Sequence, residues 1–258
     1  MAYETVLVDV SEYIGTITLN RPNQMNTFNS TLAREFVAAL QEMEDDSEVR
    51  VVVVQGQGKG FCAGIDVKEL EGKNGLGYYK WVQLMEEMSL QIARMGTPVI
   101  ASVQDIAVAN GIGIVASADL ALAAEGARFG ATAINVGLFC MGPAVPLARN
   151  LGKKKALELL LTGDMIDAQE AHRIGLVNHV VPKDKLTEET VNLARKLTQK
   201  SPLALQLGKR SYYQMLDMEY DKAFELVNNH FALLCTSEDA HEGVSAFLEK
   251  RSPNWKYE

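Results

Sequence analysis

The chain has 258 residues, 47% hydrophobic and 22% charged, and a formal net charge of −8. These values describe a globular protein with room for one large α/β domain, or a core with a helical appendage, and they argue against a disordered chain. The acidic balance argues against a nucleic-acid-binding surface, and no apolar run approaches the roughly 20 residues a membrane span needs.

Residues 5–10 and 15–20 cluster β-branched residues around a turn at 11–15 and read as an opening hairpin. Asn29 or Ser30 caps a helix whose apolar residues Leu32, Phe36, Val37, Leu40 and Met43 recur at helical spacing. Residues 49–55 (VRVVVVQ) are a continuous apolar run, the mark of a strand buried on both faces. Gly56, Gly58 and Gly60 then open a loop into Phe61-Cys62-Ala63-Gly64-Ile65-Asp66. Residues 72–77 are glycine-rich and read as a mobile loop, followed by a helix over 78–95 with Trp81, Leu84, Met85, Met88 and Ile92 on one face. A buried strand at 98–103 leads into the stretch 107–137. That stretch passes through Asn110-Gly111 into a small-residue helix at 112–118, a strand at 120–123 and a turn at Phe129-Gly130. The alternation of strand and helix predicts parallel strands with helical crossovers.

Beyond Gly137 the chain turns helical, at 144–151, 154–161 and 168–174, with Asp167 as the cap of the third and Gly175 as its stop. A last short strand occupies 178–181, and helices follow at 187–199, 202–216, 220–236 and 239–250. Residues 182–185 mark the boundary between an α/β core, 1–182, and a helical region, 183–258. The three cysteines, Cys62, Cys140 and Cys235, lack any C-x-x-C spacing, which fits reduced thiols rather than a disulfide framework or a zinc site. The opening MAYETVLVDV lacks a basic region followed by an apolar core, so a cytoplasmic location is expected.

Two loops stand out chemically. A strand running into a tightly packed helix leaves the first N–H groups of that helix unpaired, a ready site for developing negative charge. If the loops at 61–66 and 110–111 are neighbours, the N–H groups of Ile65 and Asn110 converge on one oxygen. Glycine turns after strands are also ordinary punctuation of such folds. The four histidines share no metal-ligand spacing. No G-x-S-x-G, G-x-x-x-x-G-K-[ST] or G-x-G-x-x-G is present, so neither a metal nor a nucleotide cofactor is expected. Lys153-Lys154-Lys155 reads as a solvated helix start.

Six ordered pieces carry a family resemblance. They are ITLNRPNQMNTFN at 17–29, VVVVQGQGKGFCAGIDVKEL at 51–70, and PVIASVQDIAVANGIGIVASADLALAAEGARFG at 98–130. To these add INVGL at 134–138, ALELLLTGDMIDAQEAHRIGLVNHVV at 156–181 and the ending EGVSAFLEKRSPNW. Over essentially its whole length the chain resembles the crotonase superfamily, the enoyl-CoA hydratase/isomerase family. Its VGLFC-x-x-P loop and ending are similar to the type-three subgroup of enoyl-CoA hydratase domain-containing proteins. The resemblance implies a β-β-α spiral core with a helical C-terminal trimerisation region, assembled as a homotrimer or as a hexamer of two trimers. It implies an acyl-CoA substrate, with coenzyme A as part of that substrate rather than a cofactor. It places the oxyanion hole at the N–H groups of Ile65 and Asn110, with Gly111 as the neighbouring alternative, and CoA along Gln24, Met25, Ala63, Ile65, Asp66 and Lys68.

One departure accompanies the match. The two glutamates that family hydratases use to position water and deliver a proton fall on Gly113 and Ala133, neither of which can move a proton. Two-glutamate hydration is therefore unsupported by the sequence. Replacement groups to consider are Cys140 as nucleophile or proton donor, Asp105, and Glu86 or Glu87 on the pocket-wall helix. The remaining readings are an acyl-CoA-binding protein without proton chemistry, or a thioester-processing enzyme built on Cys140.

Overall fold

The computed structural model describes residues 3–257, so Met1 and Ala2 of the opening stretch lie outside the described residues. Strands β1 (Val6–Ser11) and β2 (Ile14–Leu19) form the expected hairpin. Its turn residues Glu12 and Tyr13 both have positive φ, 53° and 65°. The Arg50 guanidinium lies 4.0 Å from the Tyr13 ring centroid and covers that turn. Helix α1 (Ser30–Asp45) starts where the Asn29 side chain accepts the Leu32 N–H at 2.8 Å, and it leads to β3 (Val51–Gly56). Then come α2 (Gly75–Arg94), β4 (Val99–Val103), β5 (Ile106–Val108), α3 (Asn110–Ser117), β6 (Leu120–Ala124) and β7 (Arg128–Gly130). The middle of the chain supplies α4 (Met141–Asn150), α5 (Lys153–Thr162), β8 (Met165–Asp167), α6 (Ala168–Arg173) and β9 (His179–Val181). It ends in α7 (Leu186–Thr198), α8 (Pro202–Met215), α9 (Tyr220–Cys235) and α10 (Glu238–Glu249).

The main sheet has the order β1-β2-β3-β4-β6-β9, parallel from β2 onward. Strand β3 shows why its sequence is unbroken valine. Val52 and Val54 point into the cluster holding Phe36 and Leu40 of α1 and Met88 and Ile92 of α2. Val51 and Val53 point the other way, into a second cluster with Leu186 and Ala194 of α7. Alternate side chains leave opposite faces of a strand, so a strand covered on both faces has no polar position. Each such side chain contributes roughly 1.5–3 kcal/mol by leaving water.

A second sheet, β5-β7-β8, was not anticipated from the sequence. Phe129-Gly130, expected as a turn, belongs to its central strand β7, which pairs in parallel with β5 and antiparallel with β8. Each strand has only three residues, too short for a period of two to show. The glycine-rich stretch 72–77 also differs from expectation. Asn74 caps α2, its side chain accepting the Gly77 N–H at 2.9 Å, so the helix starts at Gly75 rather than at residue 78.

The C-terminal helices are tied to the sheet by buried charge. The Asp119 carboxylate accepts from the Val99 N–H at 2.7 Å, the Tyr213 hydroxyl at 3.0 Å and the Lys209 ammonium at 2.7 Å. Lys209 is only 7% exposed, and desolvation pulls its pKa below the ordinary lysine value, although Asp119 opposes the shift. Removing the carboxylate strands that cation in the interior. Asp119→Ala is expected to lower the unfolding free energy by about 3–5 kcal/mol in denaturant titrations, with Lys209→Met costing much less.

Candidate active site

The loop after β3 is held by close backbone contact between two strand ends. Cys62 bridges Ala107 of β5: the Cys62 N–H donates to the Ile106 carbonyl at 3.0 Å and the Val108 N–H to the Cys62 carbonyl at 3.0 Å. Two residues on, the Phe28 N–H donates to Gly64 O and the Asp66 N–H to Phe28 O, each at 2.7 Å. The Ile65 N–H lies between them and takes part in neither bond. On the other strand, the Ala109 N–H donates to Gly130 O at 2.9 Å, which anchors the turn into α3 on β7. Gly64 has φ +99°, and a Cβ there would sit 2.7 Å from the Ala109 Cβ, so the two loops touch.

Ile65 and Asn110 each follow one member of that contact. Among the described residues neither N–H has a hydrogen-bond acceptor. Asn110 is 6% exposed and opens a helix buried along its full length. Backbone donors without partners are rare inside folded proteins, and where two of them converge they can hold one oxygen. Gly111 has a different part: a Cβ on it would fall on the Cys62 carbonyl, so it lets the helix start pack against the loop.

Ala109 carries the strain of this arrangement. Its φ of 48° and ψ of −115° lie in a region that residues with a Cβ rarely adopt. The turn is held there by its bond to β7 and by the packing of Gly64 and Gly111.

The segments expected to hold CoA come together. Met25, at φ 50°, ends the turn Pro22–Gln24, and its carbonyl accepts the Ala63 N–H at 2.9 Å. The Arg21 guanidinium pairs with Asp66 at 2.9 Å and also donates to the Thr27 carbonyl, and its positive charge holds the Asp66 carboxyl below the usual range. Asp66 thus fastens the two segments, while the Lys68 side chain is exposed beside them. Glu69, which the sequence reading passed over, ties this loop to both neighbouring helices. It accepts from the Ser30 N–H at 3.0 Å, the Ser30 hydroxyl at 2.6 Å and the Trp81 indole at 2.7 Å.

The groups considered for proton transfer divide sharply. Asp105 lies in the turn between β4 and β5, with its carbonyl accepting the Arg128 N–H at 3.3 Å. The Glu87 carboxylate faces solvent and pairs with Arg94 at 3.4 Å. Cys140 caps α4 and is 4% exposed, against the Ala133 backbone; burial raises its thiol pKa, and Glu86 raises it further. Cys62 is fully buried, and burial pushes its thiol up to about 12. Gly113 faces Pro143, whose ring lies 3.2 Å from where a Cβ would be. Glu86 leans on Gly142 in the first turn of α4, and burial raises its carboxyl to about 7. No cluster of three or more His, Cys, Asp or Glu suited to a metal ion occurs among the described residues.

Comparison with known proteins follows this geometry. The family model described as enoyl-CoA hydratase/isomerase matches residues 9–258. The mitochondrial enoyl-CoA hydratase domain-containing protein 3 of Homo sapiens is 36% identical over 246 residues, 95% of this chain and 81% of that protein. A probable enoyl-CoA hydratase of Rhizobium meliloti is 36% identical over 260 residues, covering all of both chains. Among solved structures, an enoyl-CoA hydratase of Mycobacterium smegmatis superposes with a TM-score of 0.94 at 39% identity, over 98% of this chain and 99% of that one.

Two substitutions probe the loop contact. Ala109→Gly relieves the strained φ and is expected to raise the unfolding free energy by up to about 1 kcal/mol, net of the entropy glycine loses on folding. Gly64→Ala pushes the loops apart and is expected to cost about 1–3 kcal/mol; chemical denaturation measures both.

Proposed function

The chain belongs to the enoyl-CoA hydratase/isomerase family, and from that premise we propose that it binds an acyl-CoA thioester with the carbonyl oxygen between the N–H groups of Ile65 and Asn110. The observation that supports this reading is that the N–H groups of Ile65 and Asn110 have no acceptor among the described residues and each follows one member of the Gly64–Ala109 contact. Two fixed donors stabilise the charge that grows on a thioester oxygen when its α-carbon is deprotonated or its conjugated double bond is attacked. Gln24, Met25 and the run from Ala63 to Lys68 are assigned to CoA. Lys68 offers an exposed ammonium to a phosphate, and Asp66 acts through its hold on Arg21.

We read the protein as an enzyme of the isomerase or lyase type in which two-glutamate hydration is not the chemistry, because Gly113 and Ala133 carry no proton. The same pair of residues favours a second reading, an acyl-CoA-binding protein without turnover. Thioester chemistry on Cys140 is disfavoured, since burial raises its pKa and so works against the thiolate. The free thiols Cys62, Cys140 and Cys235 support a reducing compartment, in keeping with a cytoplasmic location. No helix among the described residues is long and apolar enough to cross a membrane.

The C-terminal helices support assembly. Helix α9 buries no residue within the chain, and Phe231 at 68% and Phe247 at 82% exposure stand on α9 and α10. Exposed aromatic residues concentrated on two neighbouring helices mark a subunit interface, and we assign it to a homotrimer, alone or paired into a hexamer.

Isothermal titration with acyl-CoAs of graded chain length is expected to give saturable binding, one per protomer; no binding to any of them would remove the proposal. Hydration of crotonyl-CoA is expected at least 100-fold below an ordinary enzymatic rate of roughly 10 per second. Hydration at that ordinary rate would show a complete hydratase site. Light scattering is expected to give three or six times the protomer mass, falling to the protomer in Phe231→Asp with Phe247→Asp.

A further inference from the structure

Glu86 stands apart from the other carboxylates packed between helices. Glu44 accepts from the Gly96 and Thr97 N–H groups and from Arg210, at 2.8, 2.9 and 2.6 Å. Asp119 and Glu69 are likewise held by two or more donors. Glu86 has neither a hydrogen bond nor an ion pair among the described residues. A half-buried carboxylate that no donor in the fold ties down is free to meet something else.

Its position says what that is. The residue before it, Met85, offers its carbonyl to the Asn110 side chain at 3.4 Å, so this turn of α2 lies against the start of α3. The Glu86 carboxyl rests on Gly142, where any side chain would collide with it. The next residue, Pro143, covers Gly113, and Cys140, two residues earlier, lies against both Glu86 and the Ala133 backbone. The positions at which the resemblance calls for glutamates are therefore gathered around a carboxyl that arrives from the opposite wall.

Resting on the acyl-CoA reading above, we propose that Glu86 is the acid–base group of this site, exchanging a proton with the α-carbon of a thioester held by Ile65 and Asn110. In the forward step the Glu86 carboxylate takes the α-proton. The C–H electron pair becomes the C=C bond of an enolate, and the negative charge moves to the oxygen between the two N–H groups. In the return step the protonated Glu86 gives a proton to the α-carbon, or to the γ-carbon of an unsaturated chain, and the thioester carbonyl reforms. One carboxyl suffices because the group that takes the α-proton is the group that gives a proton back, and between the two steps its acid form trades that proton with the solvent.

Desolvation raises this carboxyl to about 7, so both protonation states are populated near neutrality, as a group that must take and give a proton requires. The titratable group facing it from α4 is Cys140. Helix α3 carries none. From α1, Glu44 is engaged by Gly96, Thr97 and Arg210, and from α8, Lys209 is engaged by Asp119. On α2 itself, Glu87 pairs with Arg94.

The test is α-proton exchange of saturated butyryl-CoA in deuterated buffer, followed by NMR, with butyryl-CoA affinity measured by titration on the same preparations. Wild-type protein is expected to exchange the α-protons, with a rate that falls tenfold per pH unit below about 7. Glu86→Gln is expected to bind with unchanged affinity and to exchange at least 100-fold more slowly, Glu86→Asp to retain part of the rate, and Cys140→Ala to stay within a few-fold of wild type. Folding is checked by melting. Because the folded-state pKa is raised, ionising Glu86 destabilises the fold as pH climbs from the unfolded value toward 7. Glu86→Gln should therefore melt above wild type at pH 8 and level with it at pH 4. Binding without exchange in the wild type, or undiminished exchange in Glu86→Gln, overturns the role of Glu86 alone. Absence of butyryl-CoA binding overturns the site reading and this inference with it.

Discussion

The structure depends on how closely two backbones approach one another where the loop after β3 passes the β5–α3 turn. Cys62 is stitched to β5 on both sides by hydrogen bonds, and Gly64 and Gly111 leave no room for a Cβ between the loops. Ile65 and Asn110, the residues that follow, keep N–H groups with no hydrogen-bond acceptor among the described residues. The small sheet β5-β7-β8 exists to hold this contact. It fixes Ala109 through Gly130, and without that bond the strained turn would relax and the two donors would diverge.

The supporting scaffold uses carboxylates as fasteners at the seams between elements. Asp66 joins the loop after β3 to the Arg21 segment, Glu69 joins that loop to α1 and α2, and Glu44 and Asp119 join α8 to the sheet ends. Each is met by several donors, so desolvation is offset locally and the ionised form is retained. For Asp66, Glu69 and Glu44 this appears as a pKa below the ordinary carboxylate value. A fastener of this kind fixes orientation more than it adds stability, which suits loops that must present backbone donors at a set spacing.

Much of this was legible in the residues. The hairpin, the valine strand, the Asn29 cap and the helical stripe of α1 follow from local patterning and were placed within a few residues. The family resemblance added the spiral core and named Ile65 and Asn110, which the residues alone marked only on the condition that their loops are neighbours. The second sheet was not legible, because three-residue strands have no period to read. Nor could the choice between Glu86 and Glu87 be made. At 100° per residue, both lie about 130° from the centre of the Trp81–Met85–Met88–Ile92 arc, on opposite flanks. Helical periodicity is symmetric between them, and only the packing of α4 on one flank breaks the symmetry. Gly142 was the available signal: a glycine inside the first turn of a helix marks a close approach, but the sequence does not say by what.

Several costly features of the fold lie near one another. Ala109 holds a backbone conformation that disfavours its own side chain, and the Ile65 and Asn110 donors go without acceptors. Glu86 holds a half-buried carboxyl that no hydrogen bond ties down, and Cys140 buries a thiol beside it. Any one of these can be an accident of packing. Here they share the space bounded by α2, α3 and the first turn of α4. Strained backbone and unmet polar groups that lie together fit the proposed acyl-CoA site. On that proposal the lack of an ionisable side chain at Gly113 and Ala133 is not a loss of function by itself. Proton chemistry is then run from the α2 wall.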